Sequence, residues 1–223
     1  MPDTKFTWPN LKEHLRKYLW IYLAGIVACL FCSNLLWTTT RPRPANDESV
    51  IVYLVGGYGS ADALREISAD MLARGQQQDA RLKQVEFQHL QYEGTDSDYT
   101  GGVLLLTRLA VGEGDAYIAS EAGLEALLNA GAVQPLDDLA PDWLSEYGLE
   151  PCHAEMEDEE TEERRSRLAG FKLDGVTALG RLGAFDNRGA TLCLSATSEN
   201  PETTMAVLET MLEDLTNAGT ENQ

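Results

Sequence analysis

Twenty consecutive residues without a charge, Tyr18 to Trp37 (YLWIYLAGIVACLFCSNLLW), constrain this chain more than any other stretch. As a helix rising about 1.5 Å per residue the run reaches about 30 Å, the hydrocarbon thickness of a bilayer. Tyr18, Trp20 and Tyr22 crowd one end and Trp37 marks the other, as aromatic rings do at the headgroup level. Lys5, Lys12, Arg16 and Lys17 precede the run, against Arg41 and Arg43 after it, so the positive-inside bias predicts a cytoplasmic N-terminus. The expected order is a cytoplasmic segment over 1–17, a transmembrane helix over 18–37 seated in the lipid bilayer, a stalk over 38–49 and an extracytoplasmic domain over 50–218.

Two rivals to an uncleaved anchor need weighing. A cleaved signal peptide has a shorter apolar core and a small-residue cleavage site, and neither is found here. Ile26-Val27-Ala28-Cys29 is similar to the box that lipoprotein processing recognises, which would make Cys29 a lipidated residue. However, the apolar run continues through Leu30, Phe31, Leu35, Leu36 and Trp37, where a lipidated cysteine is usually followed by a polar tether. The length argument favours the anchor.

The formal net charge of −19 hides an asymmetry across this run. Up to Ala45 there are six Lys or Arg and two Asp or Glu, a net of +4; beyond it there are 11 and 34, a net of −23. So acidic a surface repels nucleic acid and anionic lipid, so nucleic acid is excluded as a partner, and the same acidity favours solubility. The 178 residues beyond Ala45 suffice for one domain with a real core and are short for two. Of the four cysteines only Cys152 and Cys193 lie in this part, where an oxidising exterior permits a disulfide between them. His89 and His153 are isolated, and no spacing suggests a metal site.

Hydropathy patterning predicts an α/β domain. TTTRPRPANDES has the composition of a stalk, and Val50 to Val55 reads as a strand buried on both faces. Gly56 to Ser60 forms a tight turn, Ser60 caps a helix striped by Leu64, Ile67, Met71 and Leu72, and Gly75 stops it. Leu82 to Leu90 alternates as a second strand with His89 on its polar phase, and Tyr92 to Thr100 is a polar loop. Gly101 to Ala110 is a buried helix, Ala116 to Ala119 a short strand, and Glu121 to Ala130 a helix. Pro135 to Gly148 reads as loop and short turns. Glu155 to Arg167, with seven acids in its first nine residues and then three arginines, reads as a solvated loop. Gly175 to Gly183 and Ala190 to Ala196 are candidate strands. Asn200 and Pro201 open a last helix with an apolar stripe at Met205, Leu208, Met211, Leu212 and Leu215. Strands alternating with helices predict a mainly parallel sheet with flanking helices and Val50 to Val55 as its central strand.

Few residues suggest chemistry. The Gly56 to Ser60 turn precedes a helix, but Gly57-x-Gly59-x-x-Asp62 lacks the third glycine of a dinucleotide fingerprint and no P-loop lysine follows. The turn does fall where open α/β sheets bind ligands, at the carboxyl end of a strand. A nucleophile elbow around Ser60 is absent and histidines are few, so no enzyme, cofactor or metal is expected.

Leu109 to Leu139 (LAVGEGDAYIASEAGLEALLNAGAVQPLDDL) and Ser195 to Glu202 (SATSENPE) together resemble segments of bacterial extracellular solute-binding proteins of the ABC-transporter type. The first matches that family's Gly-Asp-x-Tyr strand, helix and Pro-Leu-Asp-Asp-Leu exit, the second its Asn-Pro-Glu helix start; Val50 to Gly75 fits the opening unit. The resemblance covers about half of the outer part and implies a bacterial cytoplasmic membrane location. The family has two lobes, and the interval from Leu139 to Gly175 is too short for a second. The resemblance therefore implies a single periplasmic-binding-like lobe, with contacts at strand-end turns: Gly57, Tyr58, Gly59 and Ser60; Ser120 and Glu121; Thr197 and Ser198. Two functions follow as expectations. One is a binding or interaction module for a small solute or an unknown protein partner, acting with a transporter; the alternative is a structural or assembly scaffold of the cell envelope that has lost ligand binding.

Overall fold

The computed structural model describes residues 8–40, 44–95, 98–137, 139, 147–157, 164–173 and 189–220. They belong to two compact units, Met1–Arg43 and Pro44–Gln223.

The first unit is helix α1 (Trp8–Thr40), 33 residues long. Its segment Arg16–Thr38 has a mean hydropathy of 2.0 with none of it buried, and is long and apolar enough to cross a membrane. The helix overruns the expected 18–37 span at both ends because nothing local stops it: the polar 8–17 stretch keeps helical spacing, and the Thr38 hydroxyl donates to the Asn34 and Leu35 carbonyls at 2.9 and 3.0 Å. Thr38 to Thr40, expected as stalk, are therefore helical.

The second unit begins with a short 3-10 turn (Asn46–Glu48) and strand β1 (Ser49–Gly56). Helix α2 (Ala61–Gln78), β2 (Gln84–Gln91), α3 (Tyr99–Val111), β3 (Ala116–Ala119) and α4 (Glu121–Asn129) follow. The chain continues with β4 (Glu150–Glu157), β5 (Arg164–Lys172), β6 (Thr191–Leu194) and helix α5 (Pro201–Thr220). The six strands form one open sheet in the order β2-β1-β3-β6-β5-β4.

This sheet is mixed, which corrects the expectation of a mainly parallel one. β1 pairs parallel with β2 and β3, whereas the β3–β6, β6–β5 and β5–β4 pairs are antiparallel. The alternation of strand and helix that implies crossovers holds only as far as α4. β4 and β5 are then joined by a connection too short to carry a crossover, so they pair as a hairpin. β1 is second from the edge rather than central, although Val50, Val52, Leu54 and Val55 are fully buried as an apolar run requires.

Two apolar cores flank the sheet. On one face Val50, Val52 and Leu54 pack with Leu64, Ile67 and Met71 of α2 and Val207, Leu208 and Met211 of α5. On the other, Tyr53, Val55 and Tyr117 pack with Leu105 of α3 and Leu124 and Leu127 of α4. Leu208, Met211 and Leu212 of the expected α5 stripe are buried, while Met205 packs at its margin. Gly75 does not stop α2; it is buried inside the helix against Leu82, and the stop comes at Asp79, whose N–H reaches the Gly75 carbonyl.

The acidic and arginine-rich stretch is not a loop as far as it is described. Glu155 faces Ser166, Met156 faces Arg165 and Glu157 faces Arg164 across the β4–β5 ladder. Glu155, Glu157, Arg164 and Arg165 are exposed on this ribbon, while Arg167 is half-buried and pairs with Asp137. β5 pairs with β6 only at Phe171 and Lys172. The candidate strand over 175–183 and most of 138–146 lie outside the described residues.

Candidate functional site

The sheet topology sorts the eight expected contact residues into two groups. β1 leads through α2 on one face to β2, and β2 leads through α3 on the other face to β3 on the far side of β1. The chain thus reverses direction between β1 and β3, a topological switch point of the kind beside which α/β sheets bind ligands. Gly57, Tyr58, Gly59 and Ser60 leave the carboxyl end of β1, and Ser120 and Glu121 leave that of β3, where Val55 is in register with Ala119. These six are brought together.

Thr197 and Ser198 are not. They follow β6, which runs antiparallel to β3, so they emerge at the opposite end of the sheet beside the start of β3. There the Ser198 hydroxyl donates to Asp115 Oδ1 at 3.0 Å, and Asp115 Oδ2 accepts the Ile51 N–H at 2.9 Å. Tyr117 Oη lies 3.3 Å from Ser195 Oγ, which lies 3.0 Å from Thr197 Oγ1. These hydroxyls fasten the start of α5 to β1 and β3.

At the switch point, local sequence dictates geometry. Tyr58 is 62 % exposed at the crest of the turn. Gly59 lies against the His89 ring, 2.5 Å from where its Cβ would stand, and His89 Nε2–H donates to the Gly56 carbonyl at 3.1 Å. β2 therefore braces the turn, a role for His89 that its place on the polar phase of the strand did not reveal. Ser60 occupies the N-cap position of α2 without a side-chain bond, whereas the Ser120 hydroxyl caps α4 by accepting the Gly123 N–H. The Ser120 N–H donates to the Val55 carbonyl at 2.8 Å. Gly123 then sets α4 directly on Val55, with 2.9 Å from its would-be Cβ to the Val55 side chain. The start of α4 is thus seated against Val55 at the carboxyl end of β1.

The electrostatics oppose an anionic ligand. Both helices opening here carry their own acid in the first turn, Asp62 in α2 and Glu121 in α4, which already answers the positive end of each helix. Glu93 approaches Gly57 from the loop after β2. A groove of about 740 Å³ lies beyond the turn on the outer side of β2, lined by Leu64, Ser68 and Leu72 of α2 with Phe87 and His89; it meets the expected site only at Gly59. Ser68 closes part of this sheet edge by accepting the Phe87 N–H at 2.9 Å.

Other reactive groups are committed elsewhere. Cys152, half-buried on β4, and Cys193, buried on β6, stand as free cysteines in the structure. Burial pushes the Cys193 thiol up, and neighbouring Cys152 adds to the rise. Burial also pushes the Tyr53 phenol up to about 12, an effect that nearby Arg108 partly offsets. Arg108 is ion-paired with Glu113, which accepts the Tyr53 hydroxyl at 3.3 Å. Among the described residues no three His, Cys, Asp or Glu side chains converge as a metal site would require.

No protein-family model, curated protein or solved structure matches the chain.

Proposed function

We propose that the chain is a membrane-anchored binding or interaction module, with the domain outside the bacterial cytoplasmic membrane and the N-terminus inside. In this reading it is a single-lobed relative of solute-binding proteins that works by binding rather than catalysis. The observation that carries it is the juxtaposition of the Gly57–Ser60 turn with Ser120 and Glu121 at the β1–β3 switch point, where Tyr58 stands exposed. The acids around these turns suit a neutral or basic partner.

The scaffold alternative draws on a specific observation: α4 sits directly on Val55 at the switch point. Small-molecule sites bury most of their ligand, so a small solute should bind the chain no tighter than about micromolar. A thermal-shift screen of sugars, amino acids, oligopeptides and metal ions tests this. Saturable stabilisation at nanomolar affinity would restore solute capture. In its absence, Tyr58→Ala should weaken capture of a crosslinked membrane partner while leaving the melting temperature unchanged, and partner capture that ignores this substitution would remove the turn from the function. External protease on spheroplasts should digest the domain beyond Ala45; protection would reverse the topology.

A further inference from the structure

The open sheet ends in two edge strands, β2 and β4, and they are finished differently. β4 has Pro151, a bulge between Cys152 and His153, and exposed Glu150, Glu155 and Glu157, devices that keep a free edge from pairing with another chain. β2 (QVEFQHLQ) has no proline, lysine or bulge and stays in unbroken register with β1 from Gln84 to Gln91. A strand left in this state is a template for a further strand. The ladder fixes which groups it offers. The Tyr92 N–H turns inward to the Gly56 carbonyl, so Val85 and Phe87, of opposite parity, turn their backbone groups outward. The Phe87 N–H accordingly reaches the Ser68 hydroxyl of α2 at 2.9 Å, and no strand among the described residues pairs with the outward side of Val85.

This edge is also one wall of a groove. Gln84 to His89 line it without a break, and Leu64, Arg65, Ser68, Ala69 and Leu72 of α2 line the other side. At about 3.3 Å per residue the strand wall is about 20 Å long, the shape of an extended segment rather than of a compact solute. The two faces of such a segment meet different chemistry. Val85 and Phe87 direct their side chains to the α2 face, where Leu64 and half-buried Leu72 offer apolar contact. On the opposite face Glu86 accepts from the Gln84 amide, and neither Glu86 nor Glu93, past the end of β2, joins an ion pair among the described residues. The groove's arginine, Arg65, is already paired with Asp62, and Lys83 at the start of β2 with Glu48. The charge left over along this edge is therefore negative. A second copy would bring the same surplus, whereas a segment carrying bases would neutralise it. We infer that β2 is a docking edge for an extended segment of a basic partner protein. The segment adds to the sheet beside β2, with apolar side chains toward α2 and lysines or arginines toward Glu86. One of its carbonyls replaces the Ser68 hydroxyl at the Phe87 N–H. This surface goes beyond the function proposed above, for it touches the Gly57–Ser60 turn at Gly59 and does not include Tyr58.

The test uses the full chain in nanodiscs of neutral phosphatidylcholine and a dye-labelled peptide of alternating lysine and valine, as long as β2, followed by fluorescence anisotropy. Saturable binding is expected, and its absence would overturn the inference. The same peptide methylated at every backbone nitrogen keeps its charge and loses its donors, so it should bind at least about tenfold more weakly. Equal binding would mean that charge alone is read and would refute strand addition. Glutamate in place of lysine should likewise lower the affinity at least about tenfold, and an acidic peptide that binds as well would refute the basic partner. Ala69→Trp fills the groove from an exposed position on α2. It should lower the affinity for the lysine peptide at least about tenfold while the melting temperature holds. Wild-type affinity in that variant would place the peptide elsewhere and overturn the assignment to β2. None of these measurements depends on Tyr58, so failure here is distinguishable from failure of the function proposed for its turn.

Discussion

The two halves of the sheet hold together by different means. In the parallel half, β1 and β3 are buried on both faces, and Val52, Leu54, Ala116 and Ile118 have no exposed surface. In the antiparallel half, β4 alternates exposed Pro151, His153, Glu155 and Glu157 with half-buried Cys152, Ala154 and Met156, and the first residues of β5 are exposed arginines and a serine. The first half is fixed by burial and the second, at its outer end, by ladder hydrogen bonds and cross-strand pairing. A strand of the first kind must be written in apolar residues; one of the second kind is free to carry charge. The two meet at β3 and β6, where Asp115 joins the start of β1 to the turn after β6.

The contrast can be broken at its strongest point. Val52→Asp would place an unpaired charge where nothing can hydrate it, at a cost of several kcal/mol, roughly 3 to 5, and the domain should lose its cooperative unfolding transition. A soluble variant with wild-type circular dichroism and melting temperature would show that burial does not hold the parallel half. Phe171→Ala tests the base of the ribbon, where β5 meets β6 and the side chain is fully buried. We expect a loss of about 3 kcal/mol in a urea titration, as for other buried aromatic truncations. A loss below about 1 kcal/mol would mean that the antiparallel half is peripheral throughout, not only at its tip.

At the junction the expected effect depends on pH. Burial raises the Asp115 carboxyl above its ordinary 3.8, against the hydrogen bonds from Ile51 and Ser198. A raised folded-state value means that the folded domain holds this proton more tightly than the unfolded chain. Its favourable contribution is full below 3.8 and is lost as pH rises through the folded value. Asp115→Asn stays neutral, so the stability of the variant relative to wild type should improve as pH rises through that window. Urea midpoints of both proteins across the range would measure it, and parallel curves would assign the junction to hydrogen bonding alone. The smallest effect is expected at the ribbon tip. Arg164→Ala removes an exposed side chain opposite Glu157 and should leave the melting temperature within about 2 °C of wild type. A larger drop would show that charge pairing, and not the backbone ladder, holds the ribbon.

Legibility followed the same division. Val50 to Val55, Ala116 to Ala119 and the α5 stripe were readable because burial on both faces, or on one face of a helix, forces a hydropathy period on the sequence. The ribbon was missed although Cys152, Ala154 and Met156 alternate with polar residues, because the density of acids around them outweighed that period. At the candidate site the glycines before α2 and the Ser120 cap could be read locally. The separation of Thr197 and Ser198 from the other six residues could not, because it follows from the direction of β6, which no local pattern records.

The sequence by itself determined a long uncharged helix, an acidic α/β domain and the positions of its buried strands, since these depend on interactions between near neighbours and on the contrast between apolar and charged residues. Tertiary structure alone decided strand order and direction, the burial of Cys193, and the bracing of Gly59 by His89. It also decided that one side of an apolar helix, α3, is left uncovered. Each of these is a contact between residues far apart in the chain, and such contacts are chosen by the packing of the whole domain rather than by any segment of it.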